Sequence, residues 1–318
     1  MTALLLGRLW QGALVLGIMS VAVYALIGLM PGDPIDLMVS SDPDLTPEDA
    51  ERLKALFGLD RPVLERWWAW AGHAVRGDLG YSRLYAAPVL EVLGPALANT
   101  LVLLGTSFVL TLAIALPAGT LAAMKPFSWY DRLVNFAALA GVSMPVFWLA
   151  LLLIVVFAVG LGVLPAGGTG EVAAGRSGFG RLHFLVLPVA TLVFASVGGH
   201  LRFMRAAVIE ALAQHHIRTA YAKGAGTARV VLAHALRNAM IPVTTVIALD
   251  MGTLVSGALV VEAVFAWPGT GKLIYDAILG NDFNLALAAL LLATAVTLLA
   301  SLLADLAYAW LDPRVTYR

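Results

Sequence analysis

The chain contains no cysteine. That excludes disulfides, thiolate nucleophiles and cysteine-type metal sites, and it leaves the compartment open. Charge is scarce as well. Asp, Glu, Lys and Arg make up 13% of the 318 residues, against roughly 25% in a soluble domain. The 20 basic and 20 acidic residues cancel, so no surplus of positive charge calls for a nucleic-acid partner. Apolar residues fill the space, at 60% of the chain and a mean hydropathy of +0.88. Such a composition belongs in a membrane.

A helix needs about 20 apolar residues to cross a hydrocarbon core of roughly 30 Å. Six weakly charged windows meet that length: residues 9–30, 99–124, 133–164, 183–201, 239–261 and 285–304. The expected fold is therefore all-α, a polytopic membrane protein with six transmembrane helices. Pro145 should kink or break the third span. The first window is too long for a signal-peptide core, and no A-x-A-like site precedes "MPGDP", so it is read as a retained anchor.

Six crossings put both termini on one face. That face carries eleven basic residues: Arg8, Lys125, Arg132, Arg202, Arg205, Arg218, Lys223, Arg229, Arg237, Arg314 and Arg318. The short opposite loops carry three, Arg176, Arg181 and Lys272. Lys and Arg favour the cytoplasmic side, so both termini are expected there. The organisation that follows is an N-terminal transmembrane helix over 1–30, an extracytoplasmic helical segment over 31–98, and five helices over 99–318. The outer segment has helical grammar, with Thr46 as N-cap, Pro47 at the first helical position, Glu48 and Asp49 at the positive end of the dipole, and a stop at Gly58. Its Trp67, Trp68 and Trp70 suit either an aromatic belt at the membrane surface or a docking surface for an external partner.

"AWPGTGKLI", from Ala266 to Ile274, follows the strand-like "ALVVEAVF" and imitates a phosphate-binding loop. A Walker A motif requires Gly at 266 and a hydroxyl after the Lys; the chain has Ala266 and Leu273. The turn also falls on the outward face, away from cytoplasmic ATP. Other catalytic patterns fail too. "GVSMP" lacks the second Gly of a nucleophile elbow. A second deep acid to pair with Asp250 is missing, and His215 and His216 are adjacent on a helix, pointing apart. No catalytic residue, cofactor site or metal site is assigned.

Residues 206–240 are the most informative stretch. The surrounding segment "RFMRAAVIEALAQHHIRTAYAKGAGTARVVLAHALRNAMIPV" holds six Lys or Arg and a single acid, Glu210, yet it is rich in Ala, Val and Leu. Ile217, Tyr221 and Ala225 fall on one helical face. Gly224 and Gly226 then break the helix, and Thr227 is placed to cap the next one. A short helix held out by glycines fits a partner's groove; it equally fits anionic lipid, with its basic residues on headgroups.

"RTAYAKGAG" followed by "HALRNAMIPV" resembles the cytoplasmic coupling loop of permease subunits of binding-protein-dependent ABC importers. Arg218, Thr219 and Ala220 stand where much of that superfamily has Glu-Ala-Ala, and Gly224 stands at its Gly. The Arg is the form found in the dipeptide, oligopeptide and nickel branch. "LMPGDP", "LGLDRPVLERWWAWAGHAVRGDLGYS", "VVEAVFAWPGTGKLIYDAI" and "LADLAYAWLDPR" resemble that branch in order, so the likeness covers nearly the whole chain. It implies the type I permease fold, residence in the bacterial cytoplasmic (inner) membrane, a second homologous permease subunit, two ABC ATPase subunits (or one fused) that use the ATP and Mg, and an extracytoplasmic solute-binding protein. It also implies that His216, Arg218, Thr219, Ala220, Tyr221, Lys223 and Gly224 form the contact with the ATPase. The implied cargo is a di- or oligopeptide, with nickel chelates, glutathione or other compounds as alternatives. A secondary transporter or channel is the competing class.

An aspartate at mid-bilayer costs about 2.5–3.5 kcal/mol on insertion scales. Asp250 should therefore face a watery path or an interhelical partner. On the first reading it lines the translocation route with Ser143, Met144 and Ser256 and meets a cationic group of the cargo. On the second it holds helices together. Gly252, Ser256 and Gly257 have the spacing of a close helix contact. Glu262 and Asp305 lie near span ends, where solvation or salt bridges are expected to satisfy them.

Overall fold

The computed structural model describes residues 2–28, 52, 61–169 and 179–311, without the side chains of 2–4, 179–181, 251–256 and 307–311. In chain order its helices are α1 (Thr2–Gly28), α2 (Val63–Ala74), α3 (Val89–Met124), α4 (Trp129–Ser143), α5 (Val146–Leu153), α6 (Phe179–Leu212), α7 (His215–Ala222), α8 (Leu236–Val264), α9 (Thr270–Leu279) and α10 (Phe283–Leu311). A π-helix over Ile154–Gly160 extends α5, and a single turn Thr227–Arg229 runs through π-helical Val230–Ala235 into α8. Strands β1 (Tyr81–Ser82) and β2 (Ala87–Pro88) form a small antiparallel hairpin. Among the described residues, five helices are long and apolar enough to cross a membrane, and the pair α4–α5, with the π-helical turn that extends it, makes a sixth span if its two limbs are counted together. The expected caps at Thr46 to Asp49 and the stop at Gly58 lie outside the described residues.

The third span is broken at its proline, with a bend of 107°. Met144 is extended, at φ −91° and ψ 131°, because a residue before proline is pushed out of the helical region. Pro145, with no N–H to donate, then starts α5 as its N-cap.

The chain divides into two compact units, Met1–Asn99 with Pro268–Val296, and Thr100–Trp267 with Thr297–Arg318. In the first unit α2 packs on α1. The Trp67 indole donates to Ser20 Oγ at 3.2 Å, and the Trp70 ring lies 6.2 Å from that of Tyr24. The tryptophan cluster is thus divided, with two rings against α1 and Trp68 exposed. The hairpin is fastened to the α9–α10 junction through Asp282, which is buried. Its carboxylate accepts from Ser82 Oγ at 2.6 Å and Leu84 N at 2.9 Å, and it caps α10 by accepting from Leu285 N at 3.2 Å. Arg83 adds a bond to the Gly280 carbonyl at 2.5 Å. Burial pushes the Tyr85 phenol above its ordinary range, and the carboxylates of Asp276 and Asp282 push the same way, so it stays neutral near neutral pH.

In the second unit α6 packs against α4 and α8, and α5 also packs on α8. Glycines set the closest approaches. A Cβ on Gly141 would stand 2.4 Å from the Phe194 carbonyl oxygen, and one on Gly198 2.3 Å from that of Ala138. Only hydrogen fits there, which lets backbones approach as small residues do in membrane bundles. Of the spacing at Gly252, Ser256 and Gly257, only the last position is described. Gly257 is in ordinary contact, a Cβ added there standing 3.7 Å from Leu192, while the surroundings of residues 252 and 256 lie outside the described residues.

The strand-like "ALVVEAVF" is the end of α8. It closes in a turn where Trp267 N donates to the Glu262 carbonyl at 2.9 Å and Ala266 N to that of Ala263 at 3.3 Å. Ala266 takes the left-handed position, at φ 48°. Lys272, the would-be phosphate lysine, is paired with Asp276 one turn along α9. Glu262, whose carbonyl accepts in this turn, is fully buried rather than solvated.

Candidate functional site

Residues 206–240 are helical almost throughout. Only Ala213, Gln214 and Lys223 to Gly226 fall outside helices. Hence α7 hangs on two short joints, one to α6 and one to the helical run that enters α8. Ile217 fixes it from beneath. Its side chain is buried among Met204 and Val208 of α6, Val230 and Ala235 of the π-helical segment, and Ala239 and Val243 of α8. Full burial of a side chain this size contributes about 1.5–3 kcal/mol. His216 adds a lateral tie, its Nε2 3.0 Å from Asn238 Nδ2.

The exit from α7 is a six-residue terminator. Ala225 N donates to the Ala220 carbonyl at 3.1 Å, and Gly224 N to that of Tyr221 at 2.9 Å. These two bonds define a Schellman motif, which requires the residue after the C-cap to be left-handed. Gly224 is, at φ +82°. Ala220 and Ala225 close the motif by packing on the same core as Ile217. The N-cap of the following turn is Gly226, not Thr227, which is its first helical residue.

Of the expected contact residues, His216, Arg218, Thr219, Tyr221, Lys223 and Gly224 are exposed, and Ala220 is half-buried. Tyr221 was expected on the same face as Ile217 and Ala225. It points outward instead, because the buried face passes through Ile217, Ala220 and the Schellman Ala225. The result is a short cationic ridge whose apolar underside belongs to two long helices at once.

The turn before α4 holds a cluster that the sequence reading missed. Asp131 is buried and takes a two-pronged contact from Arg205 of α6, Nε to Oδ1 at 2.5 Å and a terminal nitrogen to Oδ2 at 2.7 Å. It also accepts from Phe127 N at 2.8 Å and Asn135 Nδ2 at 2.7 Å, while Ser128 Oγ caps α4 by accepting from Asp131 N. The available signal was Ser128-x-x-Asp131, a capping box at a helix start. Arg205 had been counted only as a cytoplasmic charge, whereas α6 continues unbroken to Leu212 and carries it into this contact.

Asp250 lies midway along α8 and is partly exposed. The structure brings His200 of α6 to it, with Nε2 3.4 Å from Asp250 Oδ2. His200 was overlooked because it matched no metal or catalytic pattern. The usable clue was two isolated ionisable residues inside different apolar windows, which tend to find each other. Ser143 ends α4, exposed, and Met144 follows half-buried at the bend. The side chain of Ser256 lies outside the described residues.

The described helices thus form a polytopic bundle that carries, between two of its spans, a short cationic helix tethered to both. The comparisons with known proteins supply the family. Residues 115–317 match the family described as "Binding-protein-dependent transport system inner membrane component", and the chain belongs to it. It is 36% identical over 305 residues to the oligopeptide transport system permease protein AppB of Bacillus subtilis, covering 96% of each chain. A putative peptide permease protein of Brucella suis is 36% identical over 311 residues, 98% of each. The glutathione transport system permease protein GsiC of Escherichia coli is 37% identical over 301 residues, 95% of this chain and 94% of the other. The chain is thus an inner-membrane permease component of a binding-protein-dependent importer.

Proposed function

We propose that this chain forms half of the translocation path of an ATP-driven peptide importer. The other half is a second permease of similar fold, and α7 docks on one of two ATPase subunits, or on one half of a fused pair. ATP and Mg are used by those subunits. The observation that carries the reading is the tethering of α7. Ile217 is buried in a core shared by α6 and α8, so a displacement of the ridge is passed to both helices instead of being lost in a flexible loop. Arg218 and Lys223 stand ready to meet acidic groups on the ATPase. The solute-binding protein meets the opposite face, where residues 31–98 are expected.

The peptide assignment rests on relatives named for peptide and oligopeptide transport. A relative named for glutathione, itself a modified tripeptide, keeps that solute as the second reading. Affinities of the cognate binding protein for peptides and for glutathione separate the two.

Because the chain has no native cysteine, an introduced one is its sole thiol. A cysteine at Arg218 or Lys223 is expected to cross-link to the ATPase subunit in the assembled importer, with a yield that changes on adding ATP. A cysteine at Tyr275 on α9 should not. Equal cross-linking from α7 and α9 positions would sink the docking assignment.

A further inference from the structure

We propose that the turn between the second and third spans, α3 and α4, is an anchor for anionic phospholipid of the cytoplasmic leaflet. The inference rests on membership of the permease family and not on the peptide assignment.

The turn is Lys125-Pro126-Phe127-Ser128, closed by Ser128 N donating to the Lys125 carbonyl at 3.2 Å. Proline suits the second position of such a turn, because its ring presets φ. Phe127 takes the third position, at φ 63°. That is the left-handed site of a type II turn, which glycine occupies without strain and a bulky side chain does not. Asp131 holds the strain in place. Its buried carboxylate accepts from Phe127 N at 2.8 Å, and Arg205 of α6 grips the same carboxylate. A buried ion pair thus maintains a backbone that glycine would adopt freely. What phenylalanine brings instead is a ring, and that residue is 79% exposed. Packing within the chain therefore does not offset the strain, which points to a use for the ring outside the chain.

Its surroundings say what that use is. Trp129 opens α4 and is 76% exposed, and Leu133, Phe136 and Leu139 continue outward along the helix. The two rings thus end an apolar stripe on a membrane span. Lys125 and Arg132 flank them and are exposed. From Met124 to Leu133 the one acid is Asp131, and it is taken up by Arg205. The charge this turn shows to its surroundings is therefore wholly positive. With both termini cytoplasmic, the turn after the second span lies at the cytoplasmic surface. Aromatic rings settle at headgroup depth there, and basic side chains reach the phosphates of an anionic leaflet. Continuity with the apolar stripe favours lipid over a soluble protein, since the rings sit where a span leaves the hydrocarbon core.

The test uses the complete importer in nanodiscs of phosphatidylcholine with a minor share of phosphatidylglycerol, each lipid in turn carrying brominated acyl chains that quench tryptophan on contact. The chain has eight tryptophans, so the Trp129 signal is taken as the difference between wild type and Trp129→Phe. Per lipid molecule, brominated phosphatidylglycerol should quench it about 5- to 30-fold more effectively than brominated phosphatidylcholine, the range for one to two basic residues at an anionic surface. Lys125→Gln combined with Arg132→Gln should abolish the preference, and raised salt should reduce it. Phe127→Gly relaxes the turn and removes a ring. The phosphatidylglycerol retained by the detergent-purified importer, counted by mass spectrometry, should then fall while thermal stability does not. Lower stability with an unchanged lipid count would mean that Phe127 is only structural and would overturn the proposal. Equal quenching by the two lipids would overturn it too. So would a Trp129 shielded from both lipids, which would mean that another subunit covers the turn.

Discussion

Gly224 is the position where backbone geometry and transport should be most tightly joined. It sits at φ +82° in the Schellman turn, and a Cβ added there meets nothing within 4 Å. The cost of substitution is therefore conformational, not steric. Gly224→Ala should strain the turn by about 1–2 kcal/mol, the usual left-handed penalty. Gly224→Asn should cost less, since Asn tolerates this region. Gly224→Pro is far worse. It locks φ near −65° and deletes the N–H that now bonds to the Tyr221 carbonyl. A combined cost of about 3 kcal/mol or more would change the population of the native turn by a factor of about 150. The damage stays local, because Ile217 and His216 hold α7 upstream of it. The assay is transported solute per ATP hydrolysed in reconstituted vesicles, with membrane insertion checked separately. Coupling should fall in the order Gly, Asn, Ala, Pro at unchanged insertion. Wild-type coupling in Gly224→Pro would refute the argument that this turn sets the position of the proposed docking helix.

Three further outcomes are expected. Asp131→Asn should destabilise the solubilised protein by about 3–5 kcal/mol by stranding Arg205, and adding Arg205→Met should restore a good part of that, as read by thermal unfolding of the single and double variants. Gly198→Ala forces a methyl against the Ala138 carbonyl and should cost about 1–3 kcal/mol, whereas Gly257→Ala, in ordinary contact, should be nearly neutral in the same measurement. Asp282→Ala removes the cap of α10 and strands the Ser82 hydroxyl and Leu84 amide, so limited proteolysis between residues 76 and 88 should accelerate, and unchanged nicking would argue against the carboxylate as the fastening point.

The membrane spans, the break at Pro145, the small helix near His216 and the glycine stop at 224 were all legible in the sequence. Each depends on a local rule: apolar run length, the missing proline N–H, or the left-handed position that suits glycine. Those rules act within a few residues, so a linear reading captures them. Contacts between helices obey no such local rule. Which glycines touch backbone depends on how α4 and α6 cross: Gly141 and Gly198 meet carbonyl oxygens, whereas Gly257 is in ordinary contact. Arg205 looked like one more cytoplasmic charge until α6 carried it to Asp131, and His200 looked idle until packing set it beside Asp250. The sequence alone determined that this protein is built to span a membrane, because apolar run length is a local property. Only the tertiary structure decided which buried charges meet, because pairing across helices is set by the rotation and crossing of whole elements and not by the spacing of residues within one.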